Sequence, residues 1–382
     1  MSDLLSWCEA EQPWLRETIE ALVRLESPSH DRAAVNRCGA ELGTRLTACG
    51  GRVSRLPGGE RGDHLRAEFE GDGAPLLILG HFDTVWDVGV LETMPLREEA
   101  GRLYGPGIFD MKAGIATAML AVRALAAAGR RPRIVMLWTT DEEIGSRTSR
   151  TLIEHEARQS RAALVLEPSL PGGAAKTSRK GCGEFELTIH GVAAHAGLDP
   201  GKGASAIHEL ARQIVALEQL QDPARGITIN AGVVSGGTRT NVTAAEARAL
   251  IDVRVQTLDD ARRIEQTLQR LEPANPATRI VVNGSIDRPP LERSAAVVRL
   301  YEIAREVAAA LGRTLGEGAA GGGSDGNFTA ALGVPTLDGL GPRGDGAHAR
   351  HEHVVLDDLP FRAALLGGVL SRFSGEAVRL ER

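Results

Sequence analysis

The ten residues LLILGHFDTV, 76–85, decide how the chain is read. Leu76–Gly80 is a continuous apolar run, not an alternating one, which is the pattern of a strand buried on both faces of a parallel sheet. It runs straight into His81 and Asp83, two polar residues that share one side of an extended chain. Ligands of open parallel sheets bind just beyond the carboxyl ends of strands, so a polar pair at that place marks a candidate site.

Working outward, the same grammar recurs. IVMLW, 134–138, is continuous and ends in TTDEE with Asp141, Glu142 and Glu143, and ALVL, 163–166, ends in Glu167. Between the first two strands lies the Ala-rich helix of MKAGIATAMLAVRALAAAG, closed by Gly129 and opened by Asp110 in GPGIFDMKAG. Upstream, residues 14–50 read as two helices that stop at Gly50 and Gly51. Strand, helix, strand in this order predicts an α/β domain with a mostly parallel sheet. The character changes at the Gly-, Lys- and Arg-rich connector PGGAAKTSRKGCG, after which the strands alternate: 184–190, 227–234, 247–255 and 279–283. Helices at 204–219 and 258–271 separate them, giving the strand–helix–strand–strand–helix–strand order of a ferredoxin-like α+β unit. From about 288 the chain returns to helix, a Gly-rich loop and a short strand at Val334–Leu337. The expected division is 1–175 and 287–382 for the α/β domain, with 176–286 inserted.

Bulk properties bound the function. A length of 382 residues calls for two domains, and a hydrophobic fraction of 42% supports a sizeable core. The net charge of −6, with no basic stripe, argues against nucleic acid as a partner. No apolar run approaches membrane-spanning length and the N-terminal residues do not read as a signal peptide, so a cytoplasmic location is expected. Cys8, Cys38, Cys49 and Cys182 form no CxxC pair, so reduced thiols are expected and a metal would be held by His and carboxylates.

That metal is the way to reconcile the polar residues. Carboxylates gathered in one cleft repel one another and are costly to bury unpaired. A cation removes the conflict, and imidazole with carboxylate ligands suits zinc. His81, Asp110, the Glu142/Glu143 pair, Glu167 and His348 exceed one catalytic zinc and fit two ions sharing a carboxylate. Asp83 can orient the His81 ring from the side away from the metal. Glu142 and Glu143 are adjacent and point in different directions. One can bind metal while the other takes a proton from water. The remaining histidines His30, His64, His155, His190 and His208 read as surface or helix residues without a role.

Taken together, GHFDTV (80–85), GPGIFDMKAG (105–114), TTDEEIGS (139–146), LEPS (166–169), HGVAAHAG (190–197), RTNVTAAEARALIDVR (239–254), GGGSDGNF (321–328) and GAHARHEHV (346–354) resemble the M20 family of metallopeptidases over nearly the whole chain. The resemblance, closest to its glutamate carboxypeptidases, implies specific roles. His81, Asp110 and Glu167 would hold one zinc, and Asp110, Glu143 and His348 a second, with Co2+ or Mn2+ as substitutes. Glu142 would be the general base and Asp83 the orienter of His81. A cis peptide would follow Asp110. His348 is preferred over His351 and His353 because the family places Glu four residues after its ligand, here Glu352. The inserted unit would be the lid and dimerisation domain, with His195 as a donor to the tetrahedral intermediate. Arg254 and Asn241 would bind the substrate carboxylate. Lys176 and Ser178, with Arg179 and Lys180 beside them, would face an acidic side chain. The expected activity is cleavage of an amide next to a free carboxylate in an N-acyl amino acid or short peptide. Competing readings are an N-acyl-amino-acid deacylase, a two-metal phosphoesterase, and an inactive binding protein on the same fold. The intact Glu142–Glu143 pair counts against the last two.

Overall fold

The computed structural model describes residues 1–373. The central sheet has six strands in the order Arg52–Pro57, Asp63–Phe69, Pro132–Thr139, Asp72–His81, Ala163–Val165, Thr336–Leu337. The last four are mutually parallel and the first two are antiparallel additions at one edge. In the parallel part both faces are covered, as the unbroken apolar runs predict. Ile78, Met136, Trp138 and Leu164 pack into a core with helices Gln12–Arg24, Arg32–Ala48, Ala113–Ala127, Ala295–Ala310 and Leu359–Arg372. On the opposite face Leu77, Leu79, Val135, Leu137 and Val165 pack against Ile153, Ala157 and Phe328.

Register brings the strand ends together. His81 stands opposite Thr139 and Leu79 opposite both Leu137 and Val165, so three neighbouring strands finish at one level. The loops that leave that level carry the acidic and histidine residues.

The chain divides into two compact units. One comprises 1–178, 293–320 and 324 onward; the other comprises 179–292 with 321–323. The second unit is an antiparallel sheet in the order Thr228–Gly236, Glu246–Val255, Gly181–His190, Arg279–Arg288, with helices Ala206–Glu218 and Leu258–Gln269 on one face. Its strand order is that of the ferredoxin-like fold. Alternation does the sorting: Phe185, Leu187, Ile189, Ala249, Ile251 and Val253 meet the helices, while Cys182, Glu184, Asp252 and Arg254 point the other way. The sequence expectation placed the junctions at 175/176 and 286/287. These fall inside strands Ala175–Arg179 and Arg279–Arg288, whose ladders continue past them. No helix among the described residues is long and apolar enough to cross a membrane.

Candidate active site

His81 ends its strand fully buried, with its two ring nitrogens in different company. Nδ1 lies 3.0 Å from the main-chain oxygen of Asp83 and 3.4 Å from its Oδ1, so the carbonyl is the nearer orienting group. Nε2 faces Asp110 Oδ1 at 3.2 Å and Glu167 Oε1 at 3.4 Å. Asp83 is anchored in turn: its Oδ2 accepts from Ser29 Oγ at 2.7 Å and from the Glu143 amide at 3.4 Å.

Asp110 sits in the kinked segment Ile108–Lys112, and the peptide that follows it is cis. Its second oxygen, Oδ2, lies 3.4 Å from His348 Nε2, which is also 3.0 Å from Glu143 Oε2. His348 adopts φ of +60°, a left-handed conformation uncommon outside glycine, in the loop that turns it toward these carboxylates. Glu142 and Glu143 open the short turn Glu142–Ile144 just past strand Pro132–Thr139. Glu167 follows strand Ala163–Val165; its carbonyl accepts the Gly341 amide at 2.9 Å, an approach a side chain at position 341 would block.

The electrostatics fit a cation. Burial opposes charge on His81, but Asp110, Asp83 and Glu167 outweigh it and hold the ring well above its usual range. Asp110 and Glu143 push His348 up to about 10. Asp110 is held low by the two imidazoles against the effect of burial, whereas burial and the nearby Asp110 raise Glu143. One ligand atom each from His81, Asp110 and Glu143 lie within 4.8 Å of one another, as do those of His81, Glu142 and Glu167. Glu143 Oε1 is buried without a hydrogen-bond partner. Imidazole and carboxylate donors at this spacing fit divalent metal.

Residues given no role from the sequence hold this arrangement in place. Glu352 is fully buried and accepts four N–H groups: Trp86 Nε1 at 2.8 Å, the Gly107 and Phe109 amides at 2.9 Å and the Asp110 amide at 3.0 Å. Burial pushes its carboxyl up to about 7, while those donors pull the other way. Asp325 accepts from Thr139 Oγ1 at 3.0 Å and from Ser146 Oγ, bracketing the Glu142–Glu143 turn. His64, expected at the surface, is fully buried, because its strand pairs with Pro132–Thr139 and carries the ring under that turn. An acid at a fixed distance from the His348 loop was the available signal for Glu352; nothing local in DHLR signals His64.

In the second unit His195 and Asn241 are neighbours. His195 bridges Val242, and the Asn241 carbonyl accepts the Ala196 amide at 3.0 Å. His195 Nδ1 accepts the amides of Gly197 and Leu198 at 3.2 and 3.1 Å, so a neutral ring carries its proton on Nε2. The Arg254 guanidinium grips Asp252 on its own strand, Nε–Oδ2 3.0 Å and Nη2–Oδ1 2.9 Å. Arg254 and Arg288 flank Cys182 in register, one from each neighbouring strand. Arg288, unremarked in the sequence, thus shares the Arg254 row. Lys176 and Ser178 lie buried on strand Ala175–Arg179 of the first unit. Arg179 spends one guanidinium nitrogen on the carbonyls of Gly322 and Gly323 at 3.1 and 3.0 Å.

A cluster of imidazoles and carboxylates able to hold metal, at the carboxyl ends of a parallel sheet, is the arrangement of a metal-dependent enzyme, and the family match makes this one a hydrolase. The chain belongs to peptidase family M20/M25/M40, whose model matches residues 77–372. It is 30% identical to carboxypeptidase G2 of Pseudomonas sp. (strain RS-16), over 92% of this chain and 87% of that one. It is 29% identical to acetylornithine deacetylase of Myxococcus xanthus, over 79% and 81%. Its fold matches aminopeptidase PepT of Bacillus cereus with TM-score 0.78 at 22% identity, covering 95% of this chain and 99% of that one. It also matches the M20 metallo-carboxypeptidase Sso-CP2 of Sulfolobus solfataricus with TM-score 0.71 at 17% identity, covering 94% and 99%.

Proposed function

We propose that this chain is a two-zinc hydrolase that cleaves an amide next to a free carboxylate and releases a C-terminal amino acid, glutamate foremost. The observation that carries the reading is Asp110, whose two oxygens face two different histidines, His81 and His348. A carboxylate so placed suits a bridge, with Glu167 completing one site and Glu143 the other. Held by these residues, Zn2+, or in its place Co2+ or Mn2+, would supply polarisation of the amide carbonyl and acidification of the attacking water.

The chain's own residues do the rest. Glu142 takes a proton from the attacking water and returns it to the departing nitrogen. Asp83 fixes the His81 ring. His195 presents an N–H to developing negative charge. Arg254 exchanges Asp252 for the substrate carboxylate, a bidentate match, with Arg288 beside it and Asn241 as a further contact. Lys176 and Ser178 favour an acidic side chain. The 30% identity to a carboxypeptidase supports the glutamate reading; the 29% identity to a deacetylase keeps N-acyl-amino-acid deacylation as the second reading. Exposed apolar residues on 176–286, Leu198 and Val215 among them, support a homodimer through that unit. Four free thiols, two of them buried, fit a reducing cytoplasm.

The test is kcat/KM of zinc-loaded enzyme on N-acyl-glutamate, N-acyl-leucine and N-acyl-arginine, each also as its C-terminal amide. The glutamate compound is expected to be fastest and its amide at least tenfold slower, since a charge-assisted pair contributes about 1.5–3 kcal/mol. A faster leucine or arginine compound overturns the glutamate assignment.

A further inference from the structure

We infer that His64 is a positioning residue for the turn bearing Glu142 and Glu143, acting through the hydrogen-bonded chain Thr140–His64–Thr148–Asp141. The inference rests on the role proposed above for Glu142. His64 Nδ1 lies 2.9 Å from Thr140 Oγ1 and Nε2 lies 3.1 Å from Thr148 Oγ1. Thr148 Oγ1 donates its single hydrogen to Asp141 Oδ2 at 2.8 Å, so it accepts from His64 and the ring proton is on Nε2. The lone pair of Nδ1 then receives the Thr140 hydroxyl. That pattern belongs to the neutral ring, which burial favours. Burial lowers its basicity, against the pull of Asp141, Asp83 and Asp63.

The chain ends where the turn begins. Asp141 Oδ2 also accepts the Thr148 amide at 2.6 Å, and the Asp141 carbonyl accepts the amides of Ile144 at 3.3 Å and Ser146 at 2.7 Å. Asp141 therefore ties both ends of the segment 141–148 together, with Glu142 and Glu143 in between. Asp325 braces the same segment at Ser146 from the other side. Thr140 and Thr148 flank the turn in sequence, and His64, from another strand, is the group that spans them. A histidine that merely filled space would not need both ring nitrogens engaged with hydroxyls on either side of one turn. The spacing also restricts replacement: a side chain with a donor at the Nε2 position and none at Nδ1 keeps Thr148 and Asp141 in place but frees Thr140.

Two variants test this. His64→Phe keeps the volume and removes both bonds. Thr148→Val, at an exposed position, removes only the hydroxyl that links the ring to Asp141. Hydrogen exchange of metal-free protein, read by mass spectrometry, is expected to quicken about fivefold or more across 140–149 in both, with 105–112 unchanged. In zinc-loaded enzyme kcat should fall about 10- to 100-fold with KM and metal content within about twofold, and His64→Gln, which keeps a donor toward Thr148, should recover part of it. Unchanged exchange in 140–149 in Thr148→Val and His64→Phe overturns the inference, as does a uniform rise across the first unit. If the wild type cleaves none of the N-acyl amino acids, the proposed function fails, while the exchange measurement still decides the role of His64.

Discussion

At the scale of single residues, the proposed function gives two adjacent glutamates different tasks. Glu143 Oε2 lies 3.0 Å from His348 and its amide donates to Asp83, so its side chain is committed to the cluster. Glu142, one residue earlier in the same turn, brings a carboxylate oxygen within 4.8 Å of His81 and Glu167; the proposed function makes it the general base and not a ligand. On that proposed role, Glu142→Ala is expected to remove nearly all turnover while zinc content stays near normal. Glu143→Ala is expected to bind less zinc. Metal analysis of both proteins after reconstitution, beside their kcat, checks this; equal metal loss in the two would sink the division of labour. The sequence made the pair visible because two acids follow a buried strand. Position after the strand does not rank the two carboxylates by partner, since that depends on where His348 folds back from a distant part of the chain; the family resemblance supplied that assignment.

At the scale of elements, the segment Gly107–Asp110 has no ladder or helix to satisfy its amides and borrows Glu352 instead. Glu352→Ala would leave buried N–H groups unpaired, each costing about 1–3 kcal/mol. The expected result is a stability loss of about 3 kcal/mol or more, by denaturant titration, together with weaker zinc retention. Glu352→Gln should behave almost as badly, since its NH2 would face N–H donors already converging there. Near-normal stability and metal content in either variant would show that the loop holds its shape without the clamp.

The same scale explains what the sequence concealed. The parallel strands were legible because LLILG and IVMLW bury both faces. The antiparallel pair Arg52–Pro57 and Asp63–Phe69 was not, because RVSRLP and DHLRAEF mix charge into the pattern. Glu68 there is nearly buried and is satisfied through Arg66, Arg133 and Arg52, which lower it to about 2, a tertiary arrangement invisible locally. Helix Leu359–Arg372 escaped for the opposite reason. It is buried all round, so it shows little amphipathic period, and it carries Gly367 and Gly368, which usually discourage a helix assignment. Gly368 is there for contact: a Cβ would stand 2.4 Å from Val307 Cγ1 of helix Ala295–Ala310. His64 was read as a surface or helix residue because nothing in DHLR marks its ring as buried.

At the scale of the whole molecule, the second unit leaves surface that a monomer has little reason to keep. Among the described residues, strand Thr228–Gly236 is an edge of its sheet, bonded on one side only. Ile229 is buried, but from Asn230 onward the strand is half or fully exposed, and Val233 and Val234 are each 56% exposed. Successive residues of a strand point to opposite faces, so exposure of both valines means that this end is bare on both sides. An edge with free backbone groups and apolar side chains invites pairing with another chain. Two copies related by a two-fold axis can pair this edge with itself, antiparallel, and cover both surfaces at once. Sedimentation velocity at micromolar concentration is expected to show a dimer. Introducing charge with Val233→Glu and Val234→Glu should shift the protein toward monomer while leaving the metal ligands, which lie in the other unit, fully loaded. A wild type that sediments as a monomer would remove the dimer, and with it the case for these valines as interface; the proposed metal centre, whose residues all lie in the first unit, would stand unaffected.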